Sequence, residues 1–87
     1  MTDATDQFEQ GVSVQNKGRL EDAVEAFEKA LELDPKNGDA WFRKAFCLHE
    51  LGRYKEAMDS VGKALEIDPR DTEAMKLKFA LAPKVQG

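Results

Sequence analysis

The chain is organised as short apolar stripes separated by polar breaks that contain glycine or proline. In the middle of the sequence, Trp41, Ala45 and Leu48 recur at intervals of three and four residues. This spacing places side chains on one face of an amphipathic helix. Good helix formers dominate the stripes, and β-branched residues are few. The pattern predicts helices near 4–17, 20–33, 38–51, 54–67 and 72–85.

The breaks between the stripes contain residues that commonly end or begin helices. Gly18 and Gly52 stand where a left-handed residue commonly ends a helix. Asp-Pro dipeptides at 34–35 and 68–69 end the next stripes, because proline lacks a donor and disfavours helical geometry in the residue before it. Two residues stand at expected N-caps, Asn37 and Asp71.

The stripes and breaks recur as an internal repeat. Residues 4–37 align with residues 38–71 without a gap, at an offset of 34 and with ten identities. Residues 72–87 begin a third copy and end about halfway through it. A single domain over 1–87 is therefore predicted, with two helix–turn–helix units and one terminal helix.

The repeat resembles the tetratricopeptide repeat family, whose units have 34 residues. Residues at the signature positions of the second unit are Trp41, Ala45, Leu48, Gly52, Tyr54, Ala57, Ala64 and Pro69. Their counterparts in the first unit are Gly11, Val14, Gly18, Leu20, Ala23, Phe27, Ala30 and Pro35. The resemblance implies an all-α, right-handed α-solenoid of two units plus a C-terminal capping helix.

Composition and charge narrow the class of protein. The chain has 87 residues and a net charge of −4, and an acidic balance argues against a nucleic-acid partner. It has no apolar run of the roughly 18 residues that span a bilayer, so no membrane partner is expected. The first residues are acidic and polar, unlike a secretory signal. Cys47 is the single cysteine, which favours a reducing, cytoplasmic location.

Candidate catalytic chemistry is sparse. Cys47 and His49 lie two residues apart on a predicted helix, so their side chains point in different directions. Gly18 and Gly52 follow helix C-termini, whereas phosphate-binding loops place glycines at helix N-termini. The sequence therefore predicts a protein that is not an enzyme and has no cofactor or metal.

The resemblance implies a concave groove lined by the first helix of each unit. Carrying the family's positions over gives a partner-binding groove of Phe8, Val12, Gln15, Phe42, Phe46 and His49. The phenylalanines and the valine form an apolar strip that the core stripe does not explain. Exposed contiguous apolar side chains commonly mark an interaction surface. The expected function is protein–protein interaction with a peptide or helix. The alternative is that the strip only packs against the N-terminal residues or a neighbouring helix.

Two better-defined family functions do not fit the residues present. Family members that bind the C-terminal carboxylate of chaperones use a polar and basic clamp, and the matching positions here are Phe8, Val12, Arg43, Glu73 and Leu77. Only Arg43 is a cation. The related pentatricopeptide family binds RNA with 35-residue units and a basic surface, unlike the 34-residue register and net charge of −4.

The last helix carries two apolar rows. Met75, Phe79 and Ala82 are expected to pack back on the second unit. Leu77 and Leu81 form the other row, where a following helix would lie. The sequence therefore leaves two alternatives open: this row is an oligomer contact of a self-assembly module, or the chain is a fragment of a longer array.

Overall fold

The computed structural model describes residues 3–85, and this part of the chain contains helices and no strand. The helices in chain order are α1 (Ala4–Asn16), α2 (Leu20–Leu33), α3 (Gly38–Glu50), α4 (Tyr54–Ile67) and α5 (Thr72–Val85). Each agrees with its sequence prediction to within one residue at either end. The all-α class is confirmed.

The residues at the helix ends act as their chemistry predicts. Gly18 and Gly52 adopt φ values of 79° and 81°, the left-handed region that side chains with a Cβ rarely enter. Asn37 caps α3, because its Oδ1 accepts a hydrogen bond from the backbone N–H of Ala40 at 3.0 Å. Asp71 caps α5 in the same way through Ala74, at 3.1 Å. Equivalent residues thus perform equivalent tasks in the successive units.

The helices stack in chain order into an elongated body of 43 × 25 × 18 Å. Each helix packs on the next one, and α3 also contacts α5. The buried core runs along the whole stack. Its largest fully buried side chains are Phe27, Leu48, Leu81, Val61 and Cys47.

A close helix–helix approach lies in the first unit, where Gly11 of α1 meets Phe27 of α2. Phe27 is fully buried. A Cβ added at Gly11 would lie 2.6 Å from Cε1 of the Phe27 ring, far inside normal contact distance. Glycine is therefore required here for space, since it lets the large ring fill the volume that a side chain on α1 would occupy.

The assignment of faces on α5 was wrong. Leu77 and Leu81, expected as an exposed row, are 8% and 0% exposed. Met75 and Phe79, expected to pack back, are 38% and 70% exposed. The physical reason is that the Leu row shares its face with Ala74, which is fully buried, and α5 packs on α4 and α3. Because Leu77 and Leu81 belong to the core, they are not an oligomer contact.

A mid-helix glycine in α4 provides a test of the repeat register. At Gly62, an added Cβ would meet no atom within 4 Å. The first unit has Glu28 at this register, and Glu28 pairs with Lys44 of the next helix at 3.3 Å. The lysine 34 residues after Lys44 is Lys78. Gly62→Glu should therefore allow the same pair to form with Lys78.

We expect Gly62→Ala to raise the free energy of unfolding by about 0.5–1 kcal/mol, because glycine is a poor helix former. Gly62→Glu should give a similar gain plus a few tenths of a kcal/mol from the ion pair. Urea unfolding at low and high salt measures both effects. Only the Gly62→Glu gain should shrink with salt, and an identical salt response of the two variants would show that Lys78 is not paired.

Candidate partner-binding groove

The predicted groove residues of α1 and α3 form a mixed surface of half-buried and exposed side chains. Phe8, Val12 and Phe42 are half-buried and pack against the core. Phe46 is 40% exposed, and its ring centroid lies 6.4 Å from that of Phe42 in a tilted arrangement. The two rings of α3 therefore form one apolar contact surface, of which Phe46 is the more accessible member.

The hypothesis that this strip is separate from the core was partly wrong. Phe8 lies with its ring centroid 5.8 Å from that of the fully buried Phe27. Because Phe42 also packs against the core, changing it would alter the fold as well as the surface. Phe46 is therefore the clean position at which to test the groove.

Arg43 is the residue whose importance the sequence understated. Its guanidinium lies 5.9 Å from the centroid of the Phe8 ring, within the range of a cation–π contact. Its Nη1 donates to Oε1 of Gln15 at 3.2 Å, and its Nε donates to Oδ1 of Asp39 at 3.3 Å. Arg43 thus joins α3 to α1, and it places a positive charge over the Phe8 ring.

Gln15 is held by this arrangement, because its side-chain oxygen accepts from Arg43. The contact has only a weak signal in the sequence, since Gln15 and Arg43 are 28 residues apart, six short of the repeat length. No periodicity in the chain connects them. The contact could be found only once α1 and α3 had been placed side by side.

His49 belongs to a separate cluster at the far end of α3. Its ring meets the Tyr54 ring edge-on, with centroids 5.8 Å apart. Nδ1 of His49 lies 3.3 Å from Oε1 of Glu50. Lys84 places its Nζ 5.2 Å from the centroid of the Tyr54 ring. The cluster thus gathers the end of α3, the start of α4 and the end of α5.

The single thiol has the character of a packing group. Cys47 is fully buried, and burial raises its pKa to about 11. It is therefore protonated at neutral pH, whereas the thiolate is the form that reacts and binds metals.

Residues 3–85 contain neither a metal-binding cluster nor a membrane-spanning helix. No group of three or more His, Cys, Asp or Glu side chains in this range is placed to hold a metal ion. None of the helices in the same range is long and apolar enough to cross a membrane.

A concavity between α1 and α2, outside the groove, has a volume of about 200 Å³. Its charged lining groups already pair with one another: Arg19 with Asp22 at 2.6 Å, and Lys29 with Glu25 at 3.4 Å. Such self-paired, exposed side chains offer little to a ligand.

Helix pairs that stack in register and present one face of their first helices define a helical-repeat protein of the kind that typically binds other proteins without catalysing a reaction. The chain belongs to the tetratricopeptide repeat family, whose sequence model matches residues 16–80. The family resemblance drawn from the signature residues is confirmed.

Three known proteins show the extent of the similarity. Over 44 residues, the chain is 52% identical to an uncharacterized protein of Methanocaldococcus jannaschii, and the match covers 51% of each protein. The tetratricopeptide repeat domain of Arabidopsis OM64 superposes with a TM-score of 0.90 at 27% identity, over 93% of this chain and 67% of that one. The first such domain of Spaghetti (RPAP3), bound to the HSP90 peptide SRMEEVD, superposes with a TM-score of 0.90 at 20% identity.

The match covers 95% of this chain and 66% of the Spaghetti chain. The chain therefore spans about two thirds of each solved domain and matches about half the length of the curated relative. The likeness to Spaghetti, at 20% identity, shows the fold alone.

Proposed function

We propose that this protein is a non-catalytic interaction module that binds a peptide or helix of a partner protein in the groove formed by α1 and α3. The observation that carries the proposal is the exposure of Phe46, at 40%, directly beside the half-buried Phe42. Exposed aromatic side chains next to a fixed apolar surface are the usual anchors of protein interfaces.

The residues of the groove suggest how a partner is held. Phe8, Val12, Phe42 and Phe46 would supply apolar contacts, and Arg43 would donate to an acidic or carbonyl group between them. His49, at the end near Tyr54, would supply a polar contact. The Spaghetti domain binds an HSP90 peptide, but the clamp positions here carry Phe8 and Val12. We therefore propose an apolar segment as the partner rather than a chaperone C-terminus.

The proposed location is a reducing compartment such as the cytoplasm, because Cys47 is a buried free thiol and single free cysteines are typical of reducing compartments.

The groove can be tested with peptides selected from a random library. Peptides selected on the immobilised full chain from a 12-residue display library should carry apolar or aromatic anchors. We expect Phe46→Arg to weaken the binding of the selected peptides by about 30-fold, since loss of an interface anchor costs about 2 kcal/mol. Fluorescence anisotropy gives the affinities, and amide chemical shifts give the binding surface.

Leu33→Arg is the matched control, because Leu33 is an apolar side chain at 59% exposure on α2 and is not a groove residue. The control should bind the peptides as the unchanged chain does, and both variants should keep their helicity. Peptides that bind Phe46→Arg normally, or that shift amides away from α1 and α3, would contradict the assignment of the groove.

A further inference from the structure

The exposed face of α5 corresponds to a face that a helix covers in each earlier unit. In the repeat register, Phe79 of α5 matches Gly11 of α1 and Ala45 of α3. Gly11 meets Phe27 of α2, and Ala45 is fully buried. Phe79, in contrast, is 70% exposed, and Met75 beside it is 38% exposed. In the described chain, α5 thus presents a helix-packing face with no helix on it.

The sizes of the facing residues are complementary from unit to unit. In the first unit, the absent side chain of Gly11 makes room for the large Phe27. In the second unit, the small Ala45 stands at the register of Gly11, and the mid-sized Val61 stands at the register of Phe27. Both are fully buried. At the same register α5 has the large Phe79, whereas the first helices of the two earlier units have a small residue. Close packing at this position therefore requires a small residue on whatever helix covers α5.

Two lysines lie beside this face, and one of them, Lys76, also pairs with Glu73 at 3.8 Å in an exposed contact within α5. With about 3.6 residues per turn, Lys76 and Lys78 lie on opposite sides of the Met75–Phe79 row. Lys44, at the register of Lys78, pairs with Glu28 of the preceding helix at 3.3 Å. The counterpart of Glu28 for Lys78 is Gly62, which has no side chain to offer the Lys78 ammonium.

We propose that α5 binds an amphipathic helix of a partner protein, with acidic residues beside its apolar stripe and an alanine or glycine opposite Phe79. Met75 and Phe79 supply the apolar contact, and Lys76 and Lys78 supply the charge. This surface is distinct from the groove of α1 and α3, so the two can be tested separately.

A second copy of the chain fits this face poorly. Two α5 helices packed about a two-fold axis through Phe79 would bring their Lys76 and Lys78 side chains together, and like charges in an interface are unfavourable. The apolar faces of α2 and α4 are committed to the core of their own chain, with Phe27 and Val61 fully buried. An acidic partner helix would not repel Lys76 and Lys78, and its apolar stripe would be free to cover Phe79.

The α2 sequence supplies a suitable probe, because it carries five carboxylates and one lysine. We would use the 87-residue chain and a peptide of the sequence Leu20–Leu33 with Phe27→Ala, held helical by a staple on its polar face. Two further peptides serve for comparison. The first keeps Phe27, and the second has Phe27→Ala but carries the amides Gln and Asn in place of its Glu and Asp residues. Affinities come from fluorescence anisotropy, and the contact surface from amide chemical shifts.

The Phe27→Ala peptide is expected to shift amides of α5 and to lose at least about tenfold in affinity against Phe79→Ala. The peptide that keeps Phe27 should bind several-fold more weakly, since two large side chains would collide. The amide peptide should also bind more weakly at low salt, and this difference should vanish at ~1 M salt, where the Debye length is about 3 Å. The Phe46→Arg protein should bind all three peptides as the unchanged chain does.

The proposal is overturned if Phe79→Ala binds the probe normally, if the shifts fall on α1 and α3, or if the peptide with Phe27 binds more tightly. It is overturned equally by a dimer in solution that Phe79→Ala converts to a monomer, since the face would then belong to a second copy. Because Phe79 is largely exposed, the variant should keep the thermal stability of the unchanged chain.

Discussion

Replacing Phe27 by alanine is expected to lower the free energy of unfolding by about 3–5 kcal/mol. The side chain is fully buried, contacts the ring of Phe8 and fills the space above Gly11. Its loss leaves a cavity at the centre of the first unit. Since small domains have about 5–15 kcal/mol in total, this change removes a large share of the stability. Urea unfolding followed by circular dichroism measures it.

Substitution of Gly11, which packs against Phe27, tests this contact more specifically. Gly11→Ala alone should destabilise by about 1–3 kcal/mol, because the new Cβ overlaps the Phe27 ring. In the Phe27→Ala background the overlap disappears, and the same change should be neutral or stabilising by up to about 1 kcal/mol, as alanine is the better helix former. A double-mutant cycle reports the coupling. Equal effects of Gly11→Ala in both backgrounds would show that the two residues do not pack as described.

The positions of the helices follow directly from the sequence because their determinants are local. Left-handed Gly18 and Gly52 end α1 and α3, and the side chains of Asn37 and Asp71 start α3 and α5. The offset of 34 residues then supplies the order of packing, since equivalent helices must stack equivalently. Local signals and the repeat together were sufficient for the fold class.

The face of α5 could not be read in the same way. Its apolar residues form two rows at helical spacing, and periodicity alone gives no reason to prefer either one. Comparison with the first unit shows that the register of Phe79 belongs to the contact with a following helix, since Gly11 at this register meets Phe27 of α2. The Leu row instead shares its face with the fully buried Ala74, and α5 packs on α4 and α3. The choice depends on a tertiary contact that no local pattern records.

The sequence predicted which residues line the groove but not which contacts those residues make. The family resemblance placed Phe8, Phe42 and Phe46 along one surface. It could not show that Phe8 also rests on Phe27 or that Arg43 lies over Phe8. Both contacts join residues that are far apart in the sequence and outside the repeat register. A groove residue of this protein can therefore be part of the core and part of the binding surface at once.

Leu81→Ala should destabilise the chain strongly and Phe79→Ala hardly at all, although the two residues are only two apart on one helix. Leu81 is fully buried, so its truncation should cost about 2–5 kcal/mol through the cavity it leaves under α5. Phe79 is 70% exposed, so its truncation should change the free energy of unfolding by less than about 0.5 kcal/mol.

The terminal position of α5 determines how the loss at Leu81 is observed. In a linear stack, an end helix can open while its neighbours stay folded. We therefore expect amide hydrogen exchange in α5 to accelerate first in Leu81→Ala, with Trp41 fluorescence reporting the remaining units. Phe79→Ala should leave exchange in α5 unchanged. A larger loss of protection in Phe79→Ala than in Leu81→Ala would place the Phe row, and not the Leu row, against the second unit.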